Sequence, residues 1–270
     1  MFWIEITTPA VVLNTPDFEH VFGGLTGSSI PLNEQGHPHH FEFVALKGMQ
    51  FEVTNVGKNH ILQIRCSSYS ENPLYIDQRF CNPTHPKQSM SHSLNPKTIL
   101  NHMESRIGTP YVWGGNWAQG IPEMLHFYPP AIPLDGKIKT YWQLQGLDCS
   151  GLLFEATNGK TPRNTSHLLQ FGRSLLPEEW VQPLDMILYP GHVLFVRDQT
   201  TIIESKFPFG VRVCNLKERV HEVSQQRTFV RNWHSNHNGN IHFTIRRFVE
   251  NCSLFPVNSE TLSKNFHQDA

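Results

Sequence analysis

Gly146-Leu147-Asp148-Cys149-Ser150-Gly151-Leu152-Leu153-Phe154-Glu155-Ala156, closed by Asn158-Gly159, is the stretch that decides how this chain folds and works. Asp148 is a good helix N-cap, Leu152, Leu153 and Ala156 make an apolar stripe, and Asn158-Gly159 is a helix stop. Cys149 therefore stands at a helix N-terminus, where unpaired amides and the helix dipole favour a thiolate, the reactive form of sulfur. Asp148 acts against this by like-charge repulsion, so a nearby base is still needed. A cysteine in such a place is either a nucleophile or an inert buried thiol.

A candidate base lies in Asp185 to Ser205, which reads as three short strands broken by Pro190-Gly191 and by the polar residues Arg197 to Thr200. With the second turn centred on Asp198, His192 falls directly opposite Glu204 on one face of an antiparallel pair. Glu204 would then hold the imidazole and fix its tautomer, as the third member of a serine-protease triad does. A slip of one residue would turn Glu204 to the other face.

Upstream, Asn95-Pro96 starts a helix with Ile99, Leu100, Met103 and Ile107 at helical spacing, stopped by Gly108. Asn82 to Pro96 is rich in Pro, Ser, His and Asn and reads as a linker. Before it, the short runs Ala10–Leu13, Phe41–Leu46, Phe51–Thr54 and Ile61–Ile64, with Gly, Asn and Pro between them, describe a small β-barrel. The expected organisation is a β-barrel domain at 1–80, a linker at 81–95, a second domain at 96–257 and a polar, disordered tail at 258–270.

The formal net charge of -1 over 270 residues, with basic residues scattered, excludes the electrostatic footprint of a nucleic-acid binder. No run approaches the roughly 20 apolar residues of a membrane span. The N-terminus lacks a basic segment followed by an apolar one, so a cytoplasmic protein without export signal is expected. Cys66, Cys81, Cys149, Cys214 and Cys252 are an odd set without a Cys-x-x-Cys pair, which suits reduced thiols better than a disulfide framework or a zinc ribbon. His37, His39, His40, His234, His237 and His242 lie in Pro/Asn/Gly-rich sequence and read as solvated loop residues rather than metal ligands.

Four segments together resemble NlpC/P60 cysteine peptidases in type, order and spacing: Gly108-Thr109-Pro110-Tyr111-Val112-Trp113-Gly114-Gly115, Leu147-Asp148-Cys149-Ser150-Gly151-Leu152, Thr161-Pro162-Arg163-Asn164-Thr165-Ser166, and the Gly191-His192 strand with its successor. The resemblance implies an α+β fold, a papain-like NlpC/P60 catalytic domain preceded by a small SH3-like barrel. It further implies Cys149 as nucleophile, His192 as base and then acid, and the residue twelve further on as the orienting third member. Many relatives have histidine there, and this chain has Glu204. Tyr111 matches a tyrosine of the oxyanion site, with a core role as the alternative.

In the murein-peptide-recycling, dipeptidyl-peptidase VI branch of the family, residues matching Asp148 and Ser150 contact the free amine of an N-terminal L-alanine; simple helix capping is the other reading. Arg163, Asn164, Thr165 and Ser166 match the lining of the substrate cleft, and for Arg163 a surface salt bridge is the alternative. Trp113, Trp117 and Trp142 are cleft or core aromatics. In the same branch the SH3-like domain supplies a tyrosine and an acid to the amine, for which Tyr69, Glu71, Tyr75 and Asp77 are candidates. Residues 116–146 are longer than the usual family connection and read as an insertion: a lid or wall of the cleft, or a surface excursion.

The implied activity is hydrolysis of the bond between γ-D-glutamate and the following diamino acid in free peptidoglycan stem peptides, with no cofactor, metal, nucleic acid or membrane partner. Alternatives are a papain-like amidase or acyltransferase and a non-catalytic binder of wall fragments.

Overall fold

Alternation of apolar and polar residues builds the first sheet. In β1 (Phe2–Ile6) and β4 (Gln50–Val56) every second side chain, Ile4 and Ile6 or Phe51 and Val53, points into the core. With β2 (Ala10–Leu13), β3 (Phe41–Ala45), β5 (Ile61–Cys66), β6 (Ser70–Asp77) and β7 (Cys81–Thr84) they form a seven-stranded sheet of order β3-β2-β6-β5-β4-β1-β7. All adjacent strands in it run antiparallel. Strand β7 lies within the stretch expected as linker, paired to β1 from Trp3–Thr84 to Ile6–Cys81. A short helix α1 (Phe18–Val21), capped by Asp17, follows β2.

The computed structural model describes residues 2–87, 94–176, 178–234 and 240–249. The polar tail, His237, Cys252 and the end of the expected second domain lie outside them.

Helix α2 (Pro96–Ser105) begins as its sequence dictates: the Asn95 side chain accepts from the Thr98 amide at 3.0 Å, Pro96 occupies the first turn, and Ile99, Leu100 and Met103 are buried. Next come β8 (Asn116–Trp117), α3 (Glu123–Phe127), α4 (Gly136–Trp142), β9 (Gly146–Leu147) and α5 (Cys149–Ala156). Further on lie α6 (Thr165–Leu168), β10 (Arg173–Ser174), β11 (Met186–Tyr189), β12 (His192–Val196), β13 (Thr201–Lys206), β14 (Gly210–Asn215), α7 (Leu216–Ser224), β15 (Thr228–Phe229) and β16 (His242–Arg247). A second sheet has the order β10-β16-β11-β12-β13-β14, with β15 on β16. Largely antiparallel sheets, β15 alone among the described strand pairs running parallel to its neighbour, with interspersed helices make this an α+β fold.

Contacts divide the chain into two compact units. One comprises residues 1–92, 108–163 and 205–211, the other 93–107, 164–204 and 212–270. The first unit therefore holds both the N-terminal strands and helix α5.

Residues 116–146 are not the surface excursion that was one expectation for them. Ile121, Met124, Tyr128, Tyr141, Trp142 and Leu144 are buried in one core with Phe18, Phe22 and Phe41. Trp142 is fully buried and its indole N–H donates to the Tyr128 carbonyl at 2.9 Å. The reason is composition: large aromatic groups bury more apolar area than a surface loop can leave exposed. The ends of the segment pair as the antiparallel ribbon β8–β9, Asn116 opposite Leu147, so the excursion leaves and returns at one place.

Candidate active site

Cys149 is the first residue of α5. Asp148 caps that helix, Oδ1 accepting from the Gly151 amide at 2.7 Å. The same carboxylate accepts from the Gly114 amide at 3.1 Å through Oδ2, and the Asp148 amide donates to the Gly115 carbonyl at 2.8 Å. The Gly-Gly turn is thereby fastened to the start of the cysteine helix. The glycines are needed for the approach: a Cβ at Gly151 would lie 2.0 Å from the Gly115 oxygen, and Gly114 has φ +74°.

Arg163 closes this cluster. Its five N–H groups are all taken within the protein: Nε by Asn116 Oδ1, Nη1 by Asp148 Oδ1 and Ser150 Oγ, and Nη2 by Asp148 Oδ2 and the Gly115 carbonyl. This differs from both expectations for Arg163, a cleft-lining group and a surface salt bridge. It is a buried ion pair, with Nη2 2.5 Å from Asp148. Burial works against its charge, but Asp148 more than offsets that and holds the guanidinium more firmly protonated than usual. Asp148 and Ser150 are buried with it, and the Ser150 hydroxyl donates to Asp148 Oδ1 at 3.3 Å while accepting from Arg163.

Asn116, given no site role from sequence, is a principal support. Fully buried, it imitates a strand neighbour of β3, accepting from the Val44 amide and donating to the Val44 carbonyl, both at 2.8 Å. Its position at the edge of an apparent insertion hid this role.

Tyr111 is half buried, and burial first, then the charges of Asp148 and Cys149, push its phenol up. Its hydroxyl is thus kept as a neutral donor. Its ring lies 5.7 Å from His37 and 6.0 Å from Phe207. Trp113 is 44% exposed and stacks on His37 at 5.5 Å. His37, expected as a solvated loop residue, is instead wedged among aromatic rings. Trp117 is half buried.

Tyr69, among the candidate tyrosines and acids of the N-terminal sheet, feels the charges of this cluster. Burial pushes its phenol up, Arg163 opposes that, and Glu42 and Asp148 add to it. Its hydroxyl donates to Glu42 Oε2 at 2.7 Å. Tyr75 and Asp77, singled out from sequence, have other neighbours as well. Tyr75 lines a cleft with Asn55, Gln63 and Tyr128, whose walls include neither Tyr111 nor Cys149. The Asp77 carboxylate is buried and occupied by Arg79 and by the Tyr128 hydroxyl at 2.6 Å. Glu71 is exposed. Glu42 was missed because it lies 27 residues from Tyr69.

The second unit carries His192 and Glu204. Pro190-Gly191 turns β11 into β12, Gly191 at φ +88° as the third position of a type II turn requires. His192 thereby opens β12 opposite Tyr189. Its Nε2 lies 2.8 Å from Glu204 Oε2. The register differs from the expected one. Phe195 faces Ile203 and Val196 faces Ile202, so the turn centres on Gln199 rather than Asp198. Moving the centre by one residue moves the pairing by two, which makes His192 and Glu204 diagonal neighbours and keeps them on one face.

Glu204 is completely buried. Burial works against ionisation of its carboxyl, but His192, Arg219 and Arg212 outweigh this and bring its pKa down to about 2. Asn164, Thr165 and Ser166 also belong to this unit: Asn164 precedes α6, its carbonyl accepting from the His167 and Leu168 amides at 3.2 and 3.0 Å.

Cys66, Cys81 and Cys214 are free thiols. Among the described residues no three or more His, Cys, Asp and Glu side chains gather as a metal site, and no helix is long and apolar enough to cross a membrane.

No protein-family model and no curated protein matches the chain. Several solved structures do. One is an NlpC/P60 family protein from Bacillus cereus ATCC 10987, at 12% identity and a TM-score of 0.37, matched over 91% of this chain and 63% of its own length. This chain therefore spans less than two thirds of that protein. NlpC1 from Trichomonas vaginalis matches at 13% identity and a TM-score of 0.36 over 92% of each chain. RipD from Mycobacterium tuberculosis matches at 20% identity and a TM-score of 0.34, over 46% of this chain and 90% of its own. It is described as a non-catalytic NlpC/P60 domain protein adapted to peptidoglycan binding. These structural neighbours are NlpC/P60 proteins.

Proposed function

We propose that this protein is a cysteine peptidase of NlpC/P60 type that hydrolyses the bond between γ-D-glutamate and the diamino acid in free peptidoglycan stem peptides, within a cytoplasmic recycling route. The observation that carries the reading is the state of His192. Its Nε2 is committed to a buried, ionised Glu204, so Nδ1 is the nitrogen left to act as base toward a thiol. Cys149 at the N-terminus of α5 supplies the thiol.

In this mechanism His192 Nδ1 takes the Cys149 proton and the thiolate attacks the γ-carbonyl carbon, forming a C–S bond. The Tyr111 hydroxyl and the Cys149 amide donate to the oxyanion. The C–N bond then breaks as the imidazolium passes its proton to the departing amine. His192 next removes a proton from water, which attacks the thioester and releases the peptide acid and the free thiol. Glu42 with Tyr69 serves as the acid and tyrosine toward the substrate's amino end.

Mass spectrometry of products from free tripeptide, free tetrapeptide and intact sacculus tests this. Cleavage after γ-D-glutamate in the free peptides, abolished in Cys149→Ser, is expected. Equal turnover of intact sacculus would overturn the recycling reading. Absence of cleavage in any of them, with Cys149 inert to an electrophilic probe, would leave a binding protein instead.

A further inference from the structure

Glu204 is held by more than the imidazole it orients. Oε2 takes His192 Nε2 at 2.8 Å and Arg219 Nη2 at 3.0 Å, while Oε1 takes Arg212 Nε at 3.0 Å and Nη2 at 2.7 Å. The two arginines come from different elements, Arg212 from β14 and Arg219 from α7, so both oxygens are fixed and the carboxylate cannot rotate. Other polar groups face the pair. Cys214 Sγ lies 3.9 Å from Oε1, and the Tyr189 ring lies 5.6 Å from the His192 ring. Arg227 covers Tyr189 at 4.0 Å, and Glu222 takes the far side of Arg219.

A buried carboxylate alone beside an imidazole favours the imidazolium, because its charge acts through a low dielectric. A permanently protonated imidazole is no base. We infer that Arg212 and Arg219 are positioning residues: by neutralising and clamping Glu204 they let a carboxylate orient His192 without locking it in the protonated form. The inference rests on the peptidase reading for its catalytic meaning. It deepens that reading by naming what makes Glu204 workable as the third member.

The test follows the ring nitrogens of His192 by ¹⁵N NMR in the full-length chain, assigned with His192→Gln. In Arg212→Met the ring titration is expected to move to higher pH by about one unit, since one compensating positive charge is gone. Arg212 has 28% of its side chain exposed against 7% for Arg219, so this variant disturbs packing less than Arg219→Met. Arg219→Met, at a buried position, should move it the same way, while Arg212→Lys, which keeps the charge but loses the fork, should leave it in place.

In turnover the acid limb of kcat/KM on stem tripeptide should rise with the NMR titration, with KM unchanged. A titration that stays put or falls in both methionine variants would overturn the inference. The NMR arm needs no catalysis, so the expected shift in a chain that cleaves nothing would instead overturn the peptidase reading.

Discussion

Asp148 shows how one side chain can serve the nucleophile twice. As the residue before Cys149 its charge should oppose a thiolate, yet Arg163 binds it through both oxygens and offsets that charge inside the protein. What remains is the cap on α5 and the tie to Gly114. Asp148→Asn should therefore destabilise the protein by about 3–5 kcal/mol, the usual cost of leaving a buried ion without its partner, as read from urea unfolding. Thiol chemistry gives a second check. Burial pushes the Cys66 and Cys214 thiols up, and the Cys81 thiol to about 11. Iodoacetamide at pH 7 should then modify Cys149 ahead of these three, and peptide mapping should find its rate cut roughly 10-fold in His192→Gln. Equal labelling of Cys149 and these three would remove the case for a nucleophile.

At the scale of elements, the β12–β13 hairpin and α7 converge on one buried anion. Glu204 has a folded-state value of about 2 against an ordinary 4.5, so its ionisation stabilises the fold above pH 4.5, and the gain is lost as pH falls toward 2. The contribution is on the order of 3 kcal/mol, from the size of that displacement. Glu204→Gln should consequently be less stable than the parent at pH 7, with the difference shrinking steadily below pH 4.5. Denaturant midpoints at pH 3, 4, 5 and 7 would show it; a difference independent of pH would mean that packing alone is lost.

For the molecule as a whole, the segment 116–146 is structural before it is anything else. Trp142 and Tyr141 are among the largest fully buried side chains. Trp142→Ala should cost about 3–5 kcal/mol, and removal of residues 121–143 should unfold the first unit rather than open a cleft. Retention of the native near-UV circular dichroism after that deletion would restore the lid reading.

Much of the local structure was legible in the residues themselves. Asn95-Pro96, Asp148 with Asn158-Gly159, and Pro190-Gly191 each act through bonds a few residues long, so a cap, a stop and a turn can be read directly. Even His192 and Glu204 were legible as a pair, because face depends on parity and parity survived a two-residue change of register. Partners across long separations were not legible. Glu42 meets Tyr69, Asn116 meets Val44, and Arg212 and Arg219 meet Glu204 only when separate strands and helices pack. Capping and periodicity act within a turn or a strand and leave their mark in sequence, whereas the compensation of a buried charge is decided by whichever cation the tertiary fold brings within reach.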